Sequence, residues 1–323
     1  MNTRTVNAPA KRSLWHGISE QKSLIALLIL IAVVATQSSN FFTLANLFNI
    51  LQQTSVNAIM AVGMTLVILA AGIDLSVGSL LAFTGALVAS LIGHEVNALL
   101  AVAVALIAGG LIGGITGMVI AWGRVQAFIA TLVMMLLLRG ATMVFTDGSP
   151  ISTGFSDNSD YFSLIGVGQL AGVPTPVWIM AVVFIAAGYL LNHTRLGRYI
   201  YALGGNEAAT RLSGINVTRI KITVYALCGG LAALAGTIEV ARLSSAQPTA
   251  GTGYELDAIA AVVLGGCSLS GGRGRITGTL IGALILGFLN NGLNLMGVSS
   301  YFQMIVKAIV ILLAVLADNK SHQ

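Results

Sequence analysis

The run "ALLAVAVALIAGGLIGGITGMVIA", residues 98–121, decides the fold class. It contains no Asp, Glu, Lys or Arg, and it exceeds the about 20 apolar residues with which a helix crosses a bilayer core. Its glycines add a packing instruction. Gly109, Gly113 and Gly117 recur every fourth residue and share one helical face, with Gly110 and Gly114 beside it. Small residues at that interval let helix backbones approach closely in lipid, where no hydrophobic force draws helices together. Gly278 and Gly282 repeat the interval later in the chain.

Comparable apolar segments stand at 24–39, 45–71, 77–93, 127–146, 176–191, 222–241, 255–269, 276–296 and 301–317. The whole chain has the same character, with 56% hydrophobic and 8% charged residues and a mean hydropathy of +0.90. A soluble domain carries about a quarter charged residues, so the principal solvent here is a bilayer. The expected fold is all-α: a polytopic bundle of about ten transmembrane helices. One domain is expected over residues 23–318, with cytoplasmic tails at 1–22 and 319–323.

The charges orient it. Arg124 lies in the joint at 122–126, and Arg273 and Arg275 lie in that at 270–275. Lys320 is in the tail, while the joint at 192–221 holds Arg195, Arg198, Arg211, Arg219 and Lys221, five of the sixteen basic residues. The other long joint, 147–175, has Asp147, Asp157 and Asp160 and no Lys or Arg. Starting and ending the spans in the cytoplasm puts the basic joints inside and the acidic one outside, as the positive-inside bias requires. Arg242 is the exception. The net charge of +5 therefore belongs to inner loops and is no nucleic-acid signal. At the N-terminus a signal peptide cut before Thr36 competes with an uncleaved first span, and the span is preferred because later spans make removal unnecessary.

Soluble-enzyme chemistry finds little purchase. Cys228 and Cys267 sit in apolar surroundings and propose no disulfide framework, and His16, His94, His193 and His322 are too scattered for a metal site. There is no His-Glu-x-x-His and no nucleophile elbow. The glycine-rich "GGCSLSGGRGR" lacks the Gly-Lys-Ser/Thr of a phosphate loop and reads as a tight inner turn.

Within the basic joint, "GGNEAATRLSG" reads as a short helix marked at both ends. Asn206 suits an N-cap, Glu207 sets an acid against the positive helix end, and Gly214 suits the left-handed residue after the last turn. Charge bias explains the arginines but not the caps, so a docking surface is preferred over a passive loop. A polar stripe is the pathway candidate: Asn46, Asn49, Gln53 and Asn57 fall on one helical face. Asn290 and Asn294 are further members. Amides donate and accept, which suits neutral hydroxyls, but interhelical hydrogen bonding is an equal alternative. In "GIDLSVG", Gly72 and Gly78 flank Asp74 at a break between helices, a hinge or gate with a structural role preferred over ligand contact. Arg139, Glu239, Asp257 and Lys307 are the other charges in or near spans. Glu239 and Arg242, three apart, are expected to neutralise each other. An offset of 200 residues aligns Ala58 with Ala258, Leu69 with Leu269, Gly72 with Gly272 and Gly78 with Gly278, a possible internal duplication.

"EAA" followed by a glycine in a large inner loop resembles the coupling motif of ABC importer permeases, with Glu207, Ala208, Ala209 and Gly214 at its positions and Asn206 and Arg211 beside them as coupling candidates. Four residues separate Ala209 from Gly214, where the common pattern has three, which marks a branch with its own loop. The segments "NLFNILQQTSVNAIMAVGMTLVILAAGIDLSVGSLLA", "RVQAFIATLVMMLLLRG", "HTRLGRYIYALGGNEAATRLSGINV" and "SSAQPTAGTGYELDAIAAVVLGG" resemble the permease subunits of bacterial ribose ABC importers. That resemblance implies a homodimer in the bacterial inner membrane, an ATP-binding subunit that carries ATP and Mg, and a periplasmic sugar-binding protein. It implies no cofactor and no catalytic residue on this chain. The alternatives are the same class with another monosaccharide and a proton-coupled secondary transporter with Asp74, Glu239 or Asp257 as relay.

Overall fold

The computed structural model describes residue 41 and residues 43–319. Long apolar runs without internal proline become long helices, and short polar side chains start them. Thr43 accepts from the Asn46 amide at the head of α1 (Leu44–Leu69), and Asn97 accepts from Leu99 and Leu100 at the head of α3 (Ala98–Trp122). Between them lies α2 (Val77–Gly93), and α4 (Ala127–Thr146) follows. Helices α6 (Thr175–His193), α9 (Val217–Leu243) and α11 (Ile276–Leu295) complete the long set, and α12 spans Ser300–Asn319.

Among the described residues six helices, α1, α3, α4, α6, α9 and α11, are long and apolar enough to cross a membrane. Helix α2 and the stretch Tyr301–Val310 of α12 are apolar but shorter. The predicted segment 24–39 lies outside the described residues. The segment 255–269 differs from expectation: its helix, α10 (Tyr254–Leu264), has only 11 residues and is preceded by a run of turns at 248–253.

Helices α1 and α9 form the centre, with 78% and 72% of their apolar windows buried, against 33%, 22% and 28% for α3, α4 and α6. The peripheral three therefore present apolar faces to lipid or to another chain. Glycines set the closest approaches. The face of Gly109, Gly113 and Gly117 lies directly on the α9 backbone at Gly229, Tyr225 and Ile222, where a methyl group would overlap. Gly278 and Gly282 do the same for α11 against α10, at Gly265 and Ala261.

The acidic joint is more ordered than a loop. It folds into α5 (Asp157–Val167), capped by Ser156, and into short strands β1 (Ile151–Ser152), β2 (Gln169–Leu170) and β3 (Val173–Pro174). Strands β2 and β3 pair antiparallel, and β1 pairs with β4 (Ser245–Ala246) in the register Ile151 to Ala246. This end of the bundle also holds Val96, which accepts from Asn158. The basic joints gather at the other end, where Gly272 donates to the carbonyl of Leu69 at 3.0 Å. The two turns related by the 200-residue offset thus touch each other.

Candidate functional site

The inner joint is two helices rather than one. Helix α7 (Arg195–Gly205) starts at Thr194, whose hydroxyl accepts from Gly197, and buries Gly197, Ile200 and Leu203 against the bundle. Tyr201 donates to the carbonyl of Gly274 at 2.9 Å. At its C-terminal end Gly204 sits on the Leu69 carbonyl and the Gly272 amide so closely that any side chain would overlap backbone. Helix α7 is thereby seated on the inner ends of α1 and of the α10–α11 turn.

Helix α8 (Glu207–Leu212) follows at once. The Asn206 side chain accepts from Ala209 at 2.9 Å, and Gly214 is left-handed at φ +78°, so both ends are closed as the sequence predicts. Glu207 is the hub. It accepts from Arg211 at 3.0 Å and from Lys221 of α9 at 2.8 Å. Partial burial would raise its carboxyl, but the bonds and charge of Lys221, then those of Arg211, outweigh that and hold it below the ordinary 4.5. Ala208, Ala209 and Leu212 face outward, and Leu212 is 89% exposed. A capped helix presenting an apolar tip, braced to α9 by an ion pair, can dock into another protein and pass its movement on. Lys221 and Leu212 were not singled out by motif reasoning. The signal for Leu212 was an apolar side chain ending a helix too short to have a core of its own.

The polar stripe divides. Near the outer end, Asn46 and Asn291 exchange two amide bonds of 3.0 Å, and Asn294 accepts from Gln303 at 2.7 Å. These are interhelical ties. Asn49 is exposed. Deeper, about 14–20 Å from the outer end of α1 by its rise per residue, Gln53, Asn57 and Asn290 line a cavity of about 50 Å³ with Thr54 and Asp257. The Thr54 hydroxyl and the Asn57 and Asn290 carbonyl oxygens are buried there without a partner among the described residues. Asp257 is held by Lys307 of α12 at 3.0 Å. The cavity is large enough for a water molecule but far below the roughly 300 Å³ of a small-ligand pocket. It suits a hydroxyl, not a whole sugar.

The break at residues 70–76 is buried at Asp74 and Ser76 and exposed at Ala71. Asp74 is buried and accepts from the Ser76 amide and hydroxyl at 2.9 and 2.6 Å. Tyr225 donates to Ile73 at 3.2 Å and closes over Gly72. Gly78 meets Gly251, which belongs to a second break. After β4 the chain turns back among the helices, and Arg139 donates to the carbonyls of Pro248 and Ala250, both at 2.9 Å. Gly251 and Gly253 are left-handed, and α10 starts at Tyr254. Its length of about 16 Å is roughly half a hydrocarbon core. Irregular backbone is tolerated here because protein groups satisfy it. The Arg242 charge acts on Glu239 without a direct bridge: Glu239 accepts from Tyr254 at 3.4 Å, and no Glu239–Arg242 ion pair occurs among the described residues.

Comparison with known proteins places this geometry. The family model for the permease component of branched-chain amino acid transport systems matches residues 46–315. The chain is 78% identical to the ribose import permease protein of Escherichia coli K12 over 94% of its own length and 95% of the relative's. It is 66% identical to the ribose import permease protein of Haemophilus influenzae, covering 93% of each. Identity to the D-allose transport system permease protein of Escherichia coli K12 is 39%, covering 91% of this chain and 89% of the relative. No solved structure matches the chain.

Proposed function

Since the chain belongs to the family of permease components of branched-chain amino acid transport systems, we propose that it is the membrane-spanning subunit of an ATP-driven ribose importer. It is a multi-pass protein of the bacterial inner membrane, and a translocation subunit rather than an enzyme. The observation that carries ribose is the 78% identity to a ribose import permease over nearly the whole chain, twice the 39% shared with an allose permease. ATP and Mg bind an ATPase subunit, and a periplasmic binding protein delivers the sugar.

In this reading Leu212, Ala208 and Ala209 seat α8 in the ATPase. Closure of that subunit moves α8, the Glu207–Lys221 pair draws on the base of α9, and α7 carries the movement through Gly204 to the ends of α1 and α11. The breaks at 70–76 and 247–253, the second of which meets the first turn of α2 through Gly251 on Gly78, are where such movement changes access. Gln53, Asn57 and Asn290 offer passing hydroxyls weak contacts and no trap. About ten crossings are retained for the whole chain: the six long helices, α2, α10, α12 and the segment 24–39. A second copy completes the channel, for which the exposed faces of α3, α4 and α6 offer surface, the remainder meeting lipid.

The test is uptake of labelled ribose in cells lacking their own ribose permease, with this chain restored and allose and xylose as competitors. Ribose uptake that excess allose and xylose leave in place supports the assignment. Absence of ribose uptake, with the chain inserted and its partners present, refutes it.

A further inference from the structure

A second cavity, of about 730 Å³, opens at the inner end between the close of α1, the α3–α4 joint, α8 and the start of α9. Its size falls within the roughly 300–1,000 Å³ range of ligand pockets. The transport reading uses Glu207 and Lys221 of its wall but assigns the space itself no occupant. Its charged lining consists of Arg124, Arg211, Lys221 and Glu207. Glu207 is shared by Arg211 and Lys221, whereas Arg124 makes no ion pair among the described residues. Three cations against one carboxylate leave the cavity positive.

Arg124 is held there at some cost. Its φ of +54° is left-handed, a region bulky side chains rarely occupy, although the glycine that would relax it stands one position earlier, at Gly123. The next helix, α4, begins on the cavity wall at Gln126 and Ala127 with no side-chain cap, so its first amides add donors to those of the guanidinium. Trp122 stands at the rim, 68% exposed, where the lipid-facing side of α3 ends. An indole at that level is an interfacial residue.

We propose that this cavity is a binding site for a phosphate-bearing anion, with Arg124 as its principal ligand and Lys221 and Arg211 as supporting charges. A guanidinium fork matches two phosphate oxygens, and an ammonium adds a point charge. The anion comes either from the headgroup of an anionic phospholipid in the inner leaflet or from a soluble phosphate in the cytoplasm. Because Glu207, Arg211 and Lys221 also brace α8, occupancy bears directly on the helix that meets the ATPase.

The experiment uses the full chain in phosphatidylcholine nanodiscs and follows the tryptophan emission that is lost in Trp122→Phe. One arm raises the fraction of phosphatidylglycerol in the disc. The other adds inorganic phosphate against chloride at matched ionic strength. A saturable change is expected in at least one arm, weakened roughly tenfold in Arg124→Gln, as loss of a charge-assisted bond requires, and retained in Arg124→Lys. Arg124→Gly removes the charge while relieving the left-handed backbone, and it should weaken binding as Arg124→Gln does. Response to phosphatidylglycerol alone identifies a headgroup, and response to phosphate identifies a soluble ligand. No saturable change in either arm, or equal affinity in wild type and Arg124→Gly, overturns the proposal.

Discussion

Gly204→Ala tests the mechanical link between the coupling helices and the bundle. A methyl at Gly204 would lie well inside 3.0 Å of the Leu69 carbonyl oxygen and the Gly272 amide nitrogen, where ordinary contact begins at 3.4 Å. Both are backbone atoms, so neither can swing aside, and they are the two ends of a 3.0 Å hydrogen bond. Overpacking costs about 1–3 kcal/mol, and loss of that bond about 1 kcal/mol more. Together this disfavours the seated position of α7 by roughly 2–4 kcal/mol, about 30- to 1,000-fold in its equilibrium. Gly205→Ala is the matched control, because a methyl there meets nothing within 4 Å. Both variants leave α8 intact and should bind the ATPase. In proteoliposomes containing the ATPase and binding protein, Gly204→Ala is expected to lower ribose taken up per ATP hydrolysed at least about tenfold, while Gly205→Ala stays near wild type. Equal ribose-to-ATP ratios in the two variants, with both inserted to the same level, would refute the reasoning.

Three further outcomes follow from the geometry. Leu212→Asp should leave the permease folded, since Leu212 is 89% exposed, but weaken ATPase binding about ten- to a hundredfold in a pull-down titration, the value of burying one leucine. Glu207 has a carboxyl held below 4.5, so its bracing is complete above that value and is lost as pH falls through the lowered pKa. Stimulated ATPase activity should therefore be flat from neutral pH down to the ordinary 4.5 and fall only below it, whereas Glu207→Gln should be weakly coupled throughout and lack that step. Asn57→Leu fills the polar cavity and should preserve the fold while reducing maximal uptake several-fold, with Asn46→Leu as a contrast that lowers thermal stability by loss of the Asn46–Asn291 tie. Unchanged uptake in Asn57→Leu would remove that residue from the pathway.

Local chemistry was legible in the sequence, and tertiary exchange was not. The caps of α8 could be read because Asn206 and Gly214 act on backbone within four residues of themselves. The Gly109, Gly113 and Gly117 face could be read because spacing alone fixes it. Helix α7 went unread although Leu196, Tyr199, Ile200 and Leu203 share one helical face, and its seat could not be read because Gly204 gains meaning only against Leu69 and Gly272. Lys221 was counted with the loop although α9 begins at Val217. Its role depends on a partner fourteen residues away. The approach to α10 was missed although Gly251, Gly253 and Pro248 stood before an apolar run too short to span. The polar stripe could not be divided in advance, because whether an amide ties helices or lines a cavity depends on the facing helix: Asn291 for Asn46, and a notch at Gly287 for Thr54.

The most direct test of the central claim is ribose uptake and ATP hydrolysis measured in the same proteoliposomes, with the ATPase and the binding protein omitted one at a time and a parallel sample treated with an uncoupler. Uptake that requires both partners and ATP, and persists when the proton gradient is collapsed, is the predicted result. Uptake by this chain without ATP, or uptake abolished by the uncoupler while ATP is maintained, would contradict the account.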